Sequence, residues 1–187
     1  MPKIITRSAL PFDPWNPDID LIRIEDAAES LSKTCRFNGH CIGMYTVSEH
    51  SRLVARNVPS EHKLTALLHD LPEGLGLGDM VSPVKRGMHA YKQLEATVWA
   101  AVALKFELPM VLPDVVQEAD MRALATERRD LVPEHAWDEF DWECLHNTPA
   151  YDEVLVPNEG AYHFAEERDL FLEFFERCWR AREALRA

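Results

Sequence analysis

The sequence predicts one all-α domain, a helical bundle, and three observations carry that prediction. Apolar residues recur at three-to-four spacing through most of the chain, Pro and Gly punctuate the stretches between, and 154–156 is the only strand-like run. The 187 residues show no repeat or linker, so a single domain spans 1–187. A chain of this length can bury a core without staples.

Residues 1–19 hold four prolines and little periodicity, and read as an N-terminal arm or loop. Over 20–33, Leu21, Ile24, Ala27, Ala28 and Leu31 share one face, which predicts an amphipathic helix. A polar connection, CRFNGHCIGMY, follows. The stretch TVSE then has the form of a capping box, with Thr46 as N-cap and Glu49 reaching back, opening a helix that runs to about Asn57 with His50 in its first turn. Leu64, Leu67, Leu68 and Leu71 predict a short helix over 61–71, which Pro72 ends or kinks.

Residues 72–90 contain Gly74, Gly76, Gly78, Pro83 and Gly87 and read as a long loop, a class that often carries function. With no Walker pattern and no preceding strand, the first three glycines read as a flexible connection. Leu94, Val98, Ala101, Val102 and Phe106 predict a helix over 91–108, closed by Pro109. Pro113 and Asp114 open another, with Val116, Ala119, Asp120, Ala123 and Leu124 on its apolar face. Residues 133–150 read as a helix running into a loop. The last helix, about 164–185, presents Phe171, Phe174, Phe175, Cys178 and Trp179 to the core or to another subunit.

Charge and composition exclude several roles. Twenty Lys+Arg against 32 Asp+Glu leave a net charge of −12, which repels a nucleic acid polymer but admits a small phosphorylated substrate. No apolar run approaches the ~18–20 residues of a membrane span, and the N-terminus has no apolar signal-peptide region. Cys35, Cys41, Cys144 and Cys178 form no CxxC pair and read as reduced thiols, so a cytoplasmic setting, bacterial or in a phage-infected host, is expected.

The chemistry gathers on a few residues. His69 and Asp70 stand together at the end of the leucine-striped helix, where both can face one metal ion. Asp120 lies on an apolar face, and there a carboxylate needs an arginine such as Arg122 or Arg36, or a metal. With His50 they make two imidazoles and two carboxylates on three helices, a donor set for a divalent ion with open positions. His62, His89, His135, His146 and His163 lack such context and read as surface residues.

The order H…HD…D, with YTVSEHS around His50 and ALLHDLPE around His69 and Asp70, resembles the HD-domain phosphohydrolase superfamily. CRFNGH, the GD-x-x-SPVKR loop and EADMRALATERRDL extend the resemblance over about residues 20–132. Within that superfamily the chain looks most like phage dATP triphosphohydrolases, with the 5′-deoxynucleotidases next. The resemblance implies an HD-type bundle and a divalent cofactor (Zn, Co, Mn or Mg) held by His50, His69, Asp70 and Asp120. It implies that Glu73, with Asp70, serves catalysis, Glu73 by handling the attacking water. Arg36, Asp79 and Lys85 would lie near substrate phosphate, and Phe37 would crowd the sugar 2′ position; from their proximity to this pair in sequence, Asn38 and His40 are expected to read a base edge.

The implied reaction is hydrolysis of a 2′-deoxynucleotide, most directly dATP or another dNTP to deoxynucleoside and triphosphate, by a homo-oligomer. The alternatives are a 5′-nucleotidase of deoxynucleoside monophosphates and a regulatory module that binds nucleotide without turnover. The chain departs from the family pattern in three places: 73–79 reads EGLGLGD, one residue longer than the usual spacing, Pro72 precedes Glu73, and the gap from Phe37 to His50 differs slightly from that of the deoxynucleotidases.

Overall fold

Among the largest fully buried side chains are Leu31, Leu53, Val54, Leu67, Leu68, Leu71 and Phe171, and the apolar stripes that carry them meet in one core. Each such side chain stabilises the fold by about 1.5–3 kcal/mol. The computed structural model describes residues 3–133 and 142–186. Its helices are α1 (Ile24–Leu31), α2 (Val47–Arg56), α3 (Lys63–Leu68), α4 (Ser82–Lys85), α5 (His89–Phe106), α6 (Asp114–Leu131) and α7 (Phe164–Arg186). Helix α2 packs on α1 and α3, all three pack on α7, and α6 lies against α2. The predicted all-α class holds, with one small addition.

That addition is in the N-terminal arm. Strands β1 (Ile4–Ile5) and β2 (Pro11–Phe12) pair antiparallel, with Ile4 opposite Phe12. Phe12 is wholly buried, and the Asp26 carboxylate accepts a 2.8 Å hydrogen bond from the Ser8 amide. Two-residue strands are too short to show alternation, so the arm's anchoring is invisible as periodicity. The expected strand at 154–156 does not form: Val154 and Val156 are 67% and 85% exposed, and the Leu155 amide donates to Asp130 rather than to a neighbouring strand.

Two helix boundaries move. The helix expected from Asp20 begins at Ile24, because Asp18 caps a separate 3-10 turn (Ile19–Leu21) and Ile22 and Arg23 are extended. The expected loop over 72–90 is largely helical. Pro72 sits in right-handed helical geometry, and the chain runs on through a π turn (Glu73–Leu77), closed by Gly78 N–H donating to the Glu73 carbonyl at 3.0 Å. A π turn holds one residue more than an α turn.

Nor is Gly74 a flexible link. It is buried, and a Cβ there would stand 2.7 Å from the Leu31 side chain, so glycine is what lets this turn approach α1. Helix α5 ends at Glu107, whose φ of 51° is left-handed, just before Pro109. On α7, Phe171 and Phe174 are buried, whereas Phe175 and Trp179 are partly buried against Phe106 at ring separations of 5.6 and 6.2 Å.

Of the segment 133–150, residues 134–141, His135 among them, lie outside the described residues; of the others, Glu143–Leu145 is a 3-10 turn and the remaining described residues are irregular. Among the described residues all four cysteines are free, and no helix is long and apolar enough to cross a membrane.

Candidate metal centre

Three elements bring the expected ligands together. The capping box forms in full: Thr46 Oγ1 accepts from the Glu49 amide at 3.3 Å, and Glu49 accepts from the Thr46 amide at 2.9 Å. This fixes the first turn of α2 and with it His50, which is completely buried. His69 and Asp70 occupy the turn after α3, and Asp120 lies in the second turn of α6.

His50 Nε2 is 3.0 Å from Asp120 Oδ1 and 3.5 Å from Asp70 Oδ2; His69 Nε2 is 3.3 Å from Asp70 Oδ2 and 3.8 Å from Asp120 Oδ1. Donor atoms of His50, His69 and Asp120 all lie within 4.8 Å of one another.

Both imidazoles present the same nitrogen. His69 Nδ1 donates to the Ala66 carbonyl at 2.7 Å, and His50 Nδ1 is held by Glu127 Oε1 at 2.5 Å. The two Nε2 atoms are buried and make no hydrogen bond. Buried polar atoms are normally bonded, and two unbonded imidazole nitrogens facing carboxylates are a donor set that fits a divalent ion. Asp120 differs from the expectation of a core-facing carboxylate: its side chain is 39% exposed. Its neighbours are the two histidines. Arg122 instead donates to the Pro149 carbonyl and lies over Tyr151, and Arg36 pairs elsewhere.

Opposed charges set the proton affinities. Burial and the Arg36 guanidinium favour neutral His50, yet Glu127 and Asp120 overcome them and raise its pKa to about 10. His69 is raised too, burial being outweighed by Asp70 and Asp120. For Asp120, burial is outweighed by the nearby imidazoles, which hold its carboxyl well below the usual range. Glu73 goes the other way. It is buried, its Oε2 has no hydrogen bond, and burial with Asp70 and Asp79 alongside raises its carboxyl well above the usual range.

Of the other expected residues, Arg36, Asp79 and Phe37 are linked to one another and, through Glu127, to His50. Arg36 Nη2 donates to Glu127 Oε2 at 3.0 Å, and Nη1 lies 3.8 Å from Asp79 Oδ1. Asp79 also accepts from the Phe37 amide at 3.1 Å. Phe37 and Asn38 are both left-handed, with φ of 56° and 52°. Such strain in non-glycine residues persists where the surroundings over-determine it, and here Asp79 grips the strained backbone. Lys85 is paired with Glu95 and lies over the Tyr91 ring. Asn38 and His40 are exposed on the same turn.

Sequence reasoning missed two residues. Glu127 is wholly buried and joins His50 to Arg36; its signal is its position seven residues after Asp120, two turns on along α6. Trp142 stands 6.4 Å from the Phe37 ring, ring to ring, and its distance in sequence leaves no such signal.

No family model matches the chain. Its sequence is 40% identical over 170 residues to uncharacterized protein YfdR of Escherichia coli, a match that covers 89% of this chain and 92% of that protein. The chain belongs to the YfdR family. A Rhodobacter capsulatus protein, also described as uncharacterized, is 44% identical over 118 residues, 58% of each chain. Neither name states an activity.

Proposed function

We propose that this YfdR-family protein is an HD-type metal-dependent phosphohydrolase of 2′-deoxynucleotides, cleaving dATP or another dNTP to deoxynucleoside and triphosphate. The observation that supports it most is the convergence of His50, His69, Asp70 and Asp120, with two buried Nε2 atoms left unbonded. These four side chains would hold the ion. A divalent ion supplies Lewis-acid stabilisation of phosphoryl charge and acidifies water. Glu73, a buried carboxylate with a high proton affinity, orients the attacking water and takes its proton.

Lys85 and Arg36 are the cations on the phosphate side, and positioned cations stabilise the charge of phosphoryl transfer. Phe37 stands beside Arg36, whose guanidinium lies 5.4 Å from the ring centroid. An aromatic ring against the sugar leaves little room for a 2′-hydroxyl.

The experiment is a product analysis. The protein is incubated with each dNTP, dNMP and ATP in Mg²⁺, Mn²⁺, Co²⁺ or Zn²⁺, and the digests are resolved by chromatography. Deoxyadenosine with intact triphosphate from dATP is the expected outcome, and orthophosphate from dAMP alone would point to a monophosphatase. A metal-loaded protein that turns over none of these substrates overturns the proposal. Equal rates on ATP and dATP overturn the sugar argument.

A further inference from the structure

We infer that Glu127 is a positioning residue that sets the tautomer of His50 and ties the metal centre to Arg36. The inference rests on the metal-centre reading above, but it concerns a residue outside the expected ligand set. Glu127 is wholly buried, and its two oxygens are divided between two partners. Oε1 meets His50 Nδ1 at 2.5 Å, and Oε2 accepts from Arg36 Nη2 at 3.0 Å. Arg36 in turn faces Asp79, which holds the Phe37 amide. One carboxylate therefore anchors a chain of contacts running from a metal-type imidazole to the strained turn that carries Phe37 and Asn38.

The chemistry of the two partners makes the carboxylate specific. A guanidinium only donates. An imidazole that binds a metal through Nε2 must keep its proton on Nδ1, and there it also donates. Glu127 thus faces two donors, and only a group with two acceptor oxygens satisfies both. A carboxamide has one acceptor and one donor. Its oxygen must face Arg36, which can never accept, so its NH₂ faces His50. The imidazole satisfies that donor by accepting at Nδ1, which moves its proton to Nε2 and removes the lone pair the metal needs. The isosteric Glu127→Gln is therefore more harmful to metal binding than the shorter Glu127→Asp, which keeps two acceptors.

Calorimetric titration of the full chain with Co²⁺ tests this order. The wild type binds tightest, Glu127→Asp is weaker, and Glu127→Gln is weakest, about 10–100-fold below wild type, the loss typical of an outer partner of a metal ligand. If shape alone mattered, Gln would outperform Asp. A folded Gln variant that binds Co²⁺ within twofold of wild type, or better than Asp, overturns the inference. A second measurement needs no variant: in the Zn²⁺-loaded wild type, long-range ¹H–¹⁵N spectra place the His50 proton on Nδ1 as a slowly exchanging, downfield signal. A His50 metallated through Nδ1 overturns the inference as well. A wild type that binds neither Co²⁺ nor Zn²⁺ overturns the metal reading and this inference with it, whereas a metal-binding wild type matched by its Gln variant overturns this inference alone.

Discussion

Helix α2 carries two buried polar networks, one toward α7 and one toward α6, and they end differently. Toward α7, Ser48 Oγ donates to Glu167 Oε1 and Arg52 Nη2 to Glu167 Oε2, each at 2.7 Å. Both oxygens of that carboxylate are used inside the protein. Toward α6, Glu127 likewise uses both oxygens, on His50 and Arg36. There the network continues: His50 turns out a second nitrogen, and His69 Nε2 and Glu73 Oε2 join it as buried atoms without a hydrogen bond.

The proton affinities of the two glutamates differ in the same sense. Burial raises the Glu167 carboxyl despite Arg52, whereas for Glu127 burial is overcome by Arg36 and His50 together. Among the described residues of the network toward α7, the one buried atom left unbonded is the lone Arg52 Nε, whereas toward α6 two imidazole nitrogens are left unbonded together against carboxylates, and on that convergence the metal proposal rests.

The sharpest way to break this comparison is to cut the open network at a ligand. Asp120→Ala removes an oxygen donor that faces both imidazoles, and it should abolish stoichiometric metal and hydrolysis together. Elemental analysis of the purified variant checks this, and full occupancy would remove Asp120 from the site.

Glu73→Gln comes next. It leaves the four ligands intact, so metal content should match wild type while kcat falls ~10²-fold or more, the scale of a lost general base. A near-normal kcat would deny Glu73 its part.

The third prediction concerns pH. His50 has its pKa raised to about 10, so at neutral pH the metal must displace its proton. Below that pKa the protonated form dominates and competes with metal; above it the competition ends. Co²⁺ affinity should therefore rise by about tenfold or more per pH unit from pH 7 toward 10, at least one proton being released per ion. Calorimetry in buffers of different ionisation enthalpy measures that release, and a flat profile would contradict it.

The smallest effect belongs to the closed network. Glu167→Gln keeps one acceptor for two donors and should cost ~1–3 kcal/mol of stability, read by urea unfolding, with Co²⁺ affinity unchanged. A variant that loses metal instead would show that the two networks are one.

Much of the candidate site is legible in the sequence because its parts are local. The TVSE stretch writes its own helix start, and that cap places His50. The adjacent His69 and Asp70, and the period of α6 that sets Asp120, need only a helix to be read. Asn38 and His40 were legible only as neighbours of Arg36 and Phe37, and the structure leaves both exposed on that turn. Arg36 was legible as a cation but not as a pinned one, since Glu127 lies 91 residues away and Asp79 lies 43.

By itself the sequence determined most of the longer helices, the cap of α2 and the candidate donor residues, because apolar period and hydrogen-bonding side chains act within a turn or two of the chain. Only the tertiary structure decided the rest. It folded the proline-rich arm into a hairpin around Phe12, and it carried the helix through Pro72 as a π turn seated on α1 by Gly74. It also set Glu127 between His50 and Arg36. Those outcomes depend on which surfaces meet at long range. Buried polar groups must find partners wherever packing brings them, and that requirement is written in no single segment.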